Sequence, residues 1–551
     1  MKRNFLFFSF LLIAILFANL STVEAKGPLG AQGMDYYNAG FPEVAKPLLL
    51  QELTVDPSTQ AEVCFYLGNL YFGENKPDSA SFYFNKGLVA NPIYALNTIG
   101  LNMLKLKSSP EVAGLEIDKL LKDKANKKNV DIFIAAGRAY LVNGLIEKAI
   151  EYQEKAKEIK SKYAPVSVLL GDIELAKGNT GAACSNYELA IYYDASCKEA
   201  YIKYARAYKN VNSTLAIEML GKLKLKEPTF LLVDRELADI YYATNDFNKA
   251  AQLYENYLQS GNSNVKDLTK YAMTLFLNSN FEKSLEVANL GLKKDPRNPA
   301  FNRLAMWINV DLKRNDEALK AADLFFNHSD KPDLTYLDYR YFGQALRETH
   351  KLDSAIIQFQ KGLDLDSSKV ELWKDISDMY TEKTDYKNAI STYIKYESSL
   401  SKDKRTADVI MPLGKLYYSL GNDSTITVEM KKAALIKADS LFAQIAVLEP
   451  TGYRGNFYRG RTNSSLDPDA TLGLAKPYYE QTATLIEAKA DPRYNSILVE
   501  CYSYLGYYHL LKNENALSIS YWNKILAIEP TNATAKKAII GIEKEMKAKK
   551  K

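Results

Sequence analysis

Side chains able to do covalent or metal chemistry are few in this chain, and they stand apart. The 551 residues hold three histidines, His328, His350 and His509, and four cysteines, Cys64, Cys184, Cys197 and Cys501. None falls into a metal-ligand or nucleophile spacing. There is no HExxH, no paired CxxC, no GxSxG, and no glycine-rich phosphate loop after a strand. Asp and Glu are abundant, but they alternate with Lys as on solvated helix faces. The expectation is therefore no enzyme, no catalytic residue, no metal and no cofactor. A second chemistry is better represented. Arginine and tyrosine occur together at Arg340 and Tyr341, with Gln344 and Arg347 close by, and again at Arg454, Phe457, Tyr458 and Arg461. Guanidinium groups grip carboxylates through two parallel hydrogen bonds, and the pair suits extended peptide backbone.

The elements that must position these residues are best seen from Ala61 to Pro92. Leu67, Gly68 and Tyr71 share one face of a first amphipathic helix, and Asn75 and Lys76 make a turn. Pro77 suits the first position of a second helix, and Asp78 complements its dipole. Ala80 and Phe84, four apart, share a face of that helix. Gly68 and Ala80 are small where the two helices would cross, and Pro92 closes the unit. The small pair, twelve apart, recurs as Gly33/Ala45, Gly137/Ala149, Gly171/Ala183, Ala238/Ala250, Ala272/Ser284, Gly343/Ala355, Ser377/Ala389 and Gly506/Ser518. A large residue follows four positions later at Phe84, Tyr187, Tyr254, Phe359, Tyr393 and Trp522. The closing proline returns at Pro57, Pro228, Pro296, Pro450 and Pro530.

This pattern resembles the tetratricopeptide repeat (TPR), a 34-residue helix–turn–helix with a Leu-Gly…Tyr half and an Ala…Phe…Pro half. The resemblance implies an all-α superhelical solenoid of antiparallel helix pairs, about fourteen of them, with a C-terminal capping helix. It also implies function. First helices of TPR proteins line a concave groove, so the residues three before, two before and one after each small residue should face it. Those are Arg340, Tyr341 and Gln344, with Arg347 near, and Phe457, Tyr458 and Arg461, with Arg454 a turn earlier. Tyr504 and Tyr507 continue the surface in the last repeat. Two readings are open for the arginines: a groove for a protein partner, or pairing with neighbouring Asp and Glu across repeats. The carboxylate clamp of chaperone cofactors is not expected, because Asn69 is in place but Phe65 stands where its Lys belongs.

The expected domains are a signal peptide at 1–25, a repeat array at 26–400 whose third repeat is degenerate, a modified array at 401–530, and a capping helix with a basic tail at 531–551. The leader has Lys2 and Arg3, an apolar run from Phe5 to Ala18, and Val23-Glu24-Ala25 as a cleavage site. In the third repeat, Ser108-Ser109-Pro110 should disturb the turn. Ser398 to Thr406 is the expected hinge. Beyond it Gly414 meets its partner Ala438 only after twenty-four residues, so Asn422 to Lys432 must lengthen the turn or the second helix. Gly460 and Ala475 are fifteen apart. The cysteines should be free, since about 12 Å of helix separates Cys184 from the end leading to Cys197.

Composition narrows the partners. A net charge of +5, with the only basic cluster at Lys547 to Lys551, gives no nucleic-acid footprint, and no run beyond the leader is apolar enough to span a membrane. The 39 tyrosines fit the ring positions of the repeat. Residues 451–481, with the final repeat after them, are similar to the C-terminal repeats of exported TPR proteins of Bacteroidota. Asp78-Ser79, Asp353-Ser354, Asp423-Ser424 and Asp439-Ser440 fit the O-glycosylation motif of that phylum, and Ser424 is the best candidate. A β-rich sorting domain is lacking, which points to retention in the periplasm. The expected function is an exported, non-catalytic scaffold or adaptor in an envelope assembly, with protein or extended-peptide partners. The alternative is a chaperone-like binder of unfolded polypeptides.

Overall fold

The computed structural model describes residues 29–55, 60–259 and 264–548. The leader, Pro57 and the end of the basic tail lie outside them. Among the described residues there are 29 α-helices and no strand. They run as consecutive antiparallel pairs, the first Leu29–Asn38 with Pro42–Val55, and end on a single helix, Ala533–Ala548. Two compact units divide at Asp295 and Pro296.

The twelve-residue register has a direct physical mark. Where one of the two small residues is serine, its hydroxyl donates to the backbone carbonyl of the other: Ser284 to Ala272 at 2.6 Å, Ser377 to Ala389 at 2.8 Å, and Ser518 to Gly506 at 2.7 Å. At several crossings a ring fills the space, at Gly506 beside the serine, while Gly33 and Gly137 meet Leu49 and Leu169. A methyl group added at Gly414 would stand 2.6 Å from Phe442, one at Gly506 2.8 Å from Trp522, and one at Gly460 2.9 Å from Tyr479. Gly68 and Gly171 meet Phe84 and Tyr187 in the same way. Ala80, Ala183, Ala355 and Ala389 are fully buried.

Tyrosine is used at these ring positions for its hydroxyl as well as its face. Tyr187 donates to Asp172 at 2.9 Å, Tyr479 to Glu500 at 3.1 Å, and Tyr254 to Asp239. A buried hydroxyl needs such a partner, and here it comes from a first helix of the stack.

Two local expectations are corrected, and two others hold. Pro110 does not disturb a turn; it sits in the first turn of the helix Pro110–Lys122. Ser398 to Thr406 is not a break in packing. Tyr393 and Tyr396 before it share one core with Ala407 and Ile410 after it, Tyr393 donates to the Val409 carbonyl at 2.9 Å, and Arg405 pairs with Glu397 at 2.9 Å. The insertion after Gly414 goes mainly into the second helix, Val428–Leu448, which reaches 21 residues. All four cysteines are free, and Cys64, Cys184 and Cys501 are buried.

The turns inside pairs repeat one conformation. Asn75, Gly144, Gly178, Asn245, Ser279, His350, Thr384 and Asn513 all have φ between 57° and 83°. This is the left-handed residue that ends a helix, where Gly and Asn are favoured. Thr384 is the least suited, because its branched Cβ crowds the following carbonyl. Thr384→Gly should therefore stabilise the second unit by up to about 1 kcal/mol, read as a higher denaturation midpoint. Loss of stability would show that the Thr384 side chain has a packing role outweighing its strain.

Candidate protein-binding surface

In the first unit, the first-helix positions expected to face a groove form a ladder of ion pairs between repeats. Asp172, just after Gly171, accepts from Lys203, two before the buried Ala205. Asp239, just after Ala238, accepts from Lys270, two before Ala272. Arg138, just after Gly137, donates to Glu199 at 2.9 Å, and Lys203 also reaches Glu199 at 2.9 Å. Asp172 and Asp239 thus answer a lysine from the next first helix, Arg138 reaches a carboxylate two repeats on, and the Lys203–Glu199 pair lies within one helix.

The second unit contains every residue singled out in the sequence, and the ladder continues through three of the four arginines. Arg347 pairs with Glu382. Arg454 reaches Asp408 at 2.8 Å and Glu449 at 2.6 Å, and Arg461 reaches Glu500 at 2.6 Å. Pairing across repeats, one of the two readings left open by the sequence, is the geometry found for these three. Phe457 is buried in the core, and its ring carries the Arg461 guanidinium at 4.5 Å; it offers no open face. Tyr458 is half-buried against Phe442, ring centroids 5.0 Å apart, and Tyr504 against Tyr479 at 5.0 Å. Tyr507 is exposed.

Arg340 and Gln344 differ. They project from the helix Tyr336–Glu348, are exposed, and have no ion pair or hydrogen bond among the described residues. Tyr341 between them stacks on Trp307 at 5.2 Å and donates to Asp311 at 3.3 Å. Burial and the Asp311 charge push the Tyr341 hydroxyl up to about 12. On the next first helix, Glu371–Glu382, stand Asp375 and Asp378, two before and one after Ser377. Both are half-buried and neither is bonded. Burial holds both carboxyls above the usual range; the Arg340 charge opposes this at Asp375, and the Arg347 charge at Asp378. Sequence reasoning missed these two aspartates, although the same positional rule applied to Ser377 finds them.

Four polar side chains on two adjacent first helices are therefore without an ion pair or hydrogen bond among the described residues, unlike Arg347, Arg454 and Arg461. No group of three or more metal-ligating side chains converges among the described residues. His509 is buried, hydrogen-bonded to Glu514 and stacked on Tyr521, while His328 and His350 are exposed in other repeats. No helix among the described residues is long and apolar enough to cross a membrane.

Comparison with known proteins agrees with this architecture. Residues 130–163 match the sequence model of the tetratricopeptide repeat. The chain is 22% identical over 492 residues to the Protein CTR9 homolog of Arabidopsis thaliana, covering 74% of this chain and 44% of that protein, so it spans less than half the length of this curated relative. Among solved structures, it is similar to the C-terminal part of a TPR repeat-containing protein from Cytophaga hutchinsonii, with 27% identity, 49% of this chain and 99% of that one covered, and a TM-score of 0.42. It is also similar to a tetratricopeptide repeat protein from Parabacteroides merdae, with 16% identity, 46% and 98% covered, and a TM-score of 0.31.

The raised carboxyls make a signed prediction. Folding disfavours the ionised form of Asp378, so its contribution to stability is full below the ordinary value of 3.8 and is lost as pH rises through the higher folded value. Asp378→Asn should raise the melting temperature of the second unit at pH 7, and the gain should vanish near about pH 3. A destabilised variant at pH 7 would mean that the Asp378 carboxylate has a stabilising partner in the free protein.

Proposed function

We propose that this chain is an exported, non-catalytic adaptor that holds a protein partner against the first helices of its second unit, within an assembly of the cell envelope. TPR arrays generally mediate protein–protein interaction, which supports the general class. The observation that carries the site is the set of unpaired polar groups at Arg340, Gln344, Asp375 and Asp378. Half-buried charges without partners cost stability, and a ligand that satisfies them repays that cost on binding. A segment presenting backbone carbonyls or a carboxylate to Arg340, and a Lys or Arg to the two aspartates, fits this set. Export and a periplasmic location are supported by the leader's charged start, apolar run and small-residue cleavage site. One observation favours an adaptor over a binder of unfolded chains: among the Phe, Tyr and Trp side chains described in the second unit, Tyr507 alone is exposed, at 44%.

The test is affinity capture of the mature chain from its native envelope, beside an Arg340→Ala/Asp378→Asn variant and an Arg461→Ala variant. A dominant partner lost with the first variant and kept with the second is expected. A partner lost only with Arg461→Ala would move the site to the paired ladder. A broad spread of unfolded clients would replace the adaptor reading with the chaperone-like one.

A further inference from the structure

The first unit closes on itself. In the turn of its first helix pair, Ala39-Gly40-Phe41, Ala39 and Phe41 are buried in the core formed with helices from Ala164 to Leu258. Two guanidinium groups lie over the Phe41 ring, Arg206 4.8 Å and Arg235 5.4 Å from its centre, and Phe41 packs edge-to-face with Phe230 at 6.3 Å. Arg206 donates to the Gly40 carbonyl at 3.2 Å, and Arg235 pairs with Glu43. Tyr36 stacks on Phe230 at 5.7 Å, and Lys198 bonds Asp35 at 2.8 Å. Behind this closure Tyr37 meets Tyr66 at 5.2 Å, beside the Arg138–Glu199 pair, and burial pushes the Tyr37 hydroxyl up to about 12. Arg235 and Glu236, at first-helix positions expected to face the groove, are buried here.

The receiving side is organised without the turn. Arg206 is held by both carboxylate oxygens of Glu236, at 2.7 and 3.1 Å. Arg235 is held by the fully buried Asp267 at 2.9 Å, and Asp267 accepts in turn from Tyr257 at 2.8 Å and Asn264 at 2.7 Å. None of these anchors belongs to the first helix pair. If the turn leaves, two fixed guanidiniums and an aromatic wall remain, and each has chosen its ligand already. The guanidiniums take a ring, Arg206 takes the carbonyl before the ring, and Arg235 takes a carboxylate two residues after it.

We propose that Gly40–Glu43 is a latch occupying, in cis, a recognition socket made of Arg206, Phe230 and Arg235, and that the socket's ligand is a partner segment with an aromatic residue followed two positions later by Asp or Glu. Such a segment displaces the latch and uncovers the inward face of the first unit. This site is separate from the surface of the second unit and does not depend on it.

The test is a fluorescence-anisotropy titration of the full chain with a labelled peptide of its own sequence from Asp35 to Lys46. A cis ligand lowers the apparent affinity of a trans ligand by the fraction of open sockets. Phe41→Ala should therefore bind the peptide at least about tenfold more tightly than wild type. Adding Arg235→Ala should abolish that binding, and a peptide with Ala in place of its Phe should not bind. If Phe41→Ala does not fold, Glu43→Gln, which keeps the ring and loosens only the Arg235 contact, carries the same comparison. A folded latch variant that fails to bind the peptide, or binds the Ala peptide equally well, overturns the proposal. A wild-type chain that dimerises, with the dimer lost in Arg235→Ala, would assign the segment to a second copy and overturn the partner assignment.

Discussion

The stack depends on one contact: a small residue on the first helix of a pair, set against a large side chain or joined to the second helix's small residue through a serine hydroxyl. Gly414 with Phe442, Gly460 with Tyr479 and Gly506 with Trp522 leave no room for a methyl group. Where the ring is not the closing element, a serine hydroxyl reaches across to a carbonyl, as Ser377 does to Ala389. Because side chains four apart share a helix face, the ring lands on the crossing whenever the second small residue does. Spacing is therefore free to change so long as this contact survives. The 24-residue interval from Gly414 to Ala438 still brings Phe442 onto Gly414, and the 15-residue interval from Gly460 to Ala475 still brings Tyr479 onto Gly460.

Once the crossing fixes each pair, the positions flanking it are forced together from repeat to repeat, and their chemistry decides what the surface can do. Where charged residues occupy these positions, several are answered from another repeat: Asp172 with Lys203, Arg138 with Glu199, Arg461 with Glu500. Such pairs set the stagger between neighbouring pairs and leave little free valence for a ligand. The exception is the run through Arg340, Gln344, Asp375 and Asp378, which gives the second unit its distinct surface. In the first unit the corresponding face is covered by a turn that supplies its own ring and carboxylate.

The crossing contact was legible in the sequence because it needs only small and large residues at fixed local separations. The helix pairs, their turns and the closing helix follow from that pattern together with Pro77 and the left-handed Asn75. Which polar residues pair was not legible. Arg454 and Arg461 look in sequence as available as Arg340; what distinguishes them is a carboxylate 46 residues upstream in one case and 39 residues downstream in the other. Asp375 and Asp378 obey the same positional rule but were hidden among many acidic residues. The closure of the first unit was out of reach, since Glu43 and Arg235 pair across 192 residues, a separation on which no local periodicity bears.

The crossing contact is tested most directly by a double-mutant cycle on Gly343 and Phe359, with stability read from denaturant unfolding of the second unit. Gly343→Ala should cost about 1–3 kcal/mol by overpacking against the ring. Most of that loss should disappear when Phe359→Leu has already removed the ring, giving a coupling energy well outside the additive range. An equal loss from Gly343→Ala in both backgrounds would contradict the account, because the ring would then not be what requires the glycine.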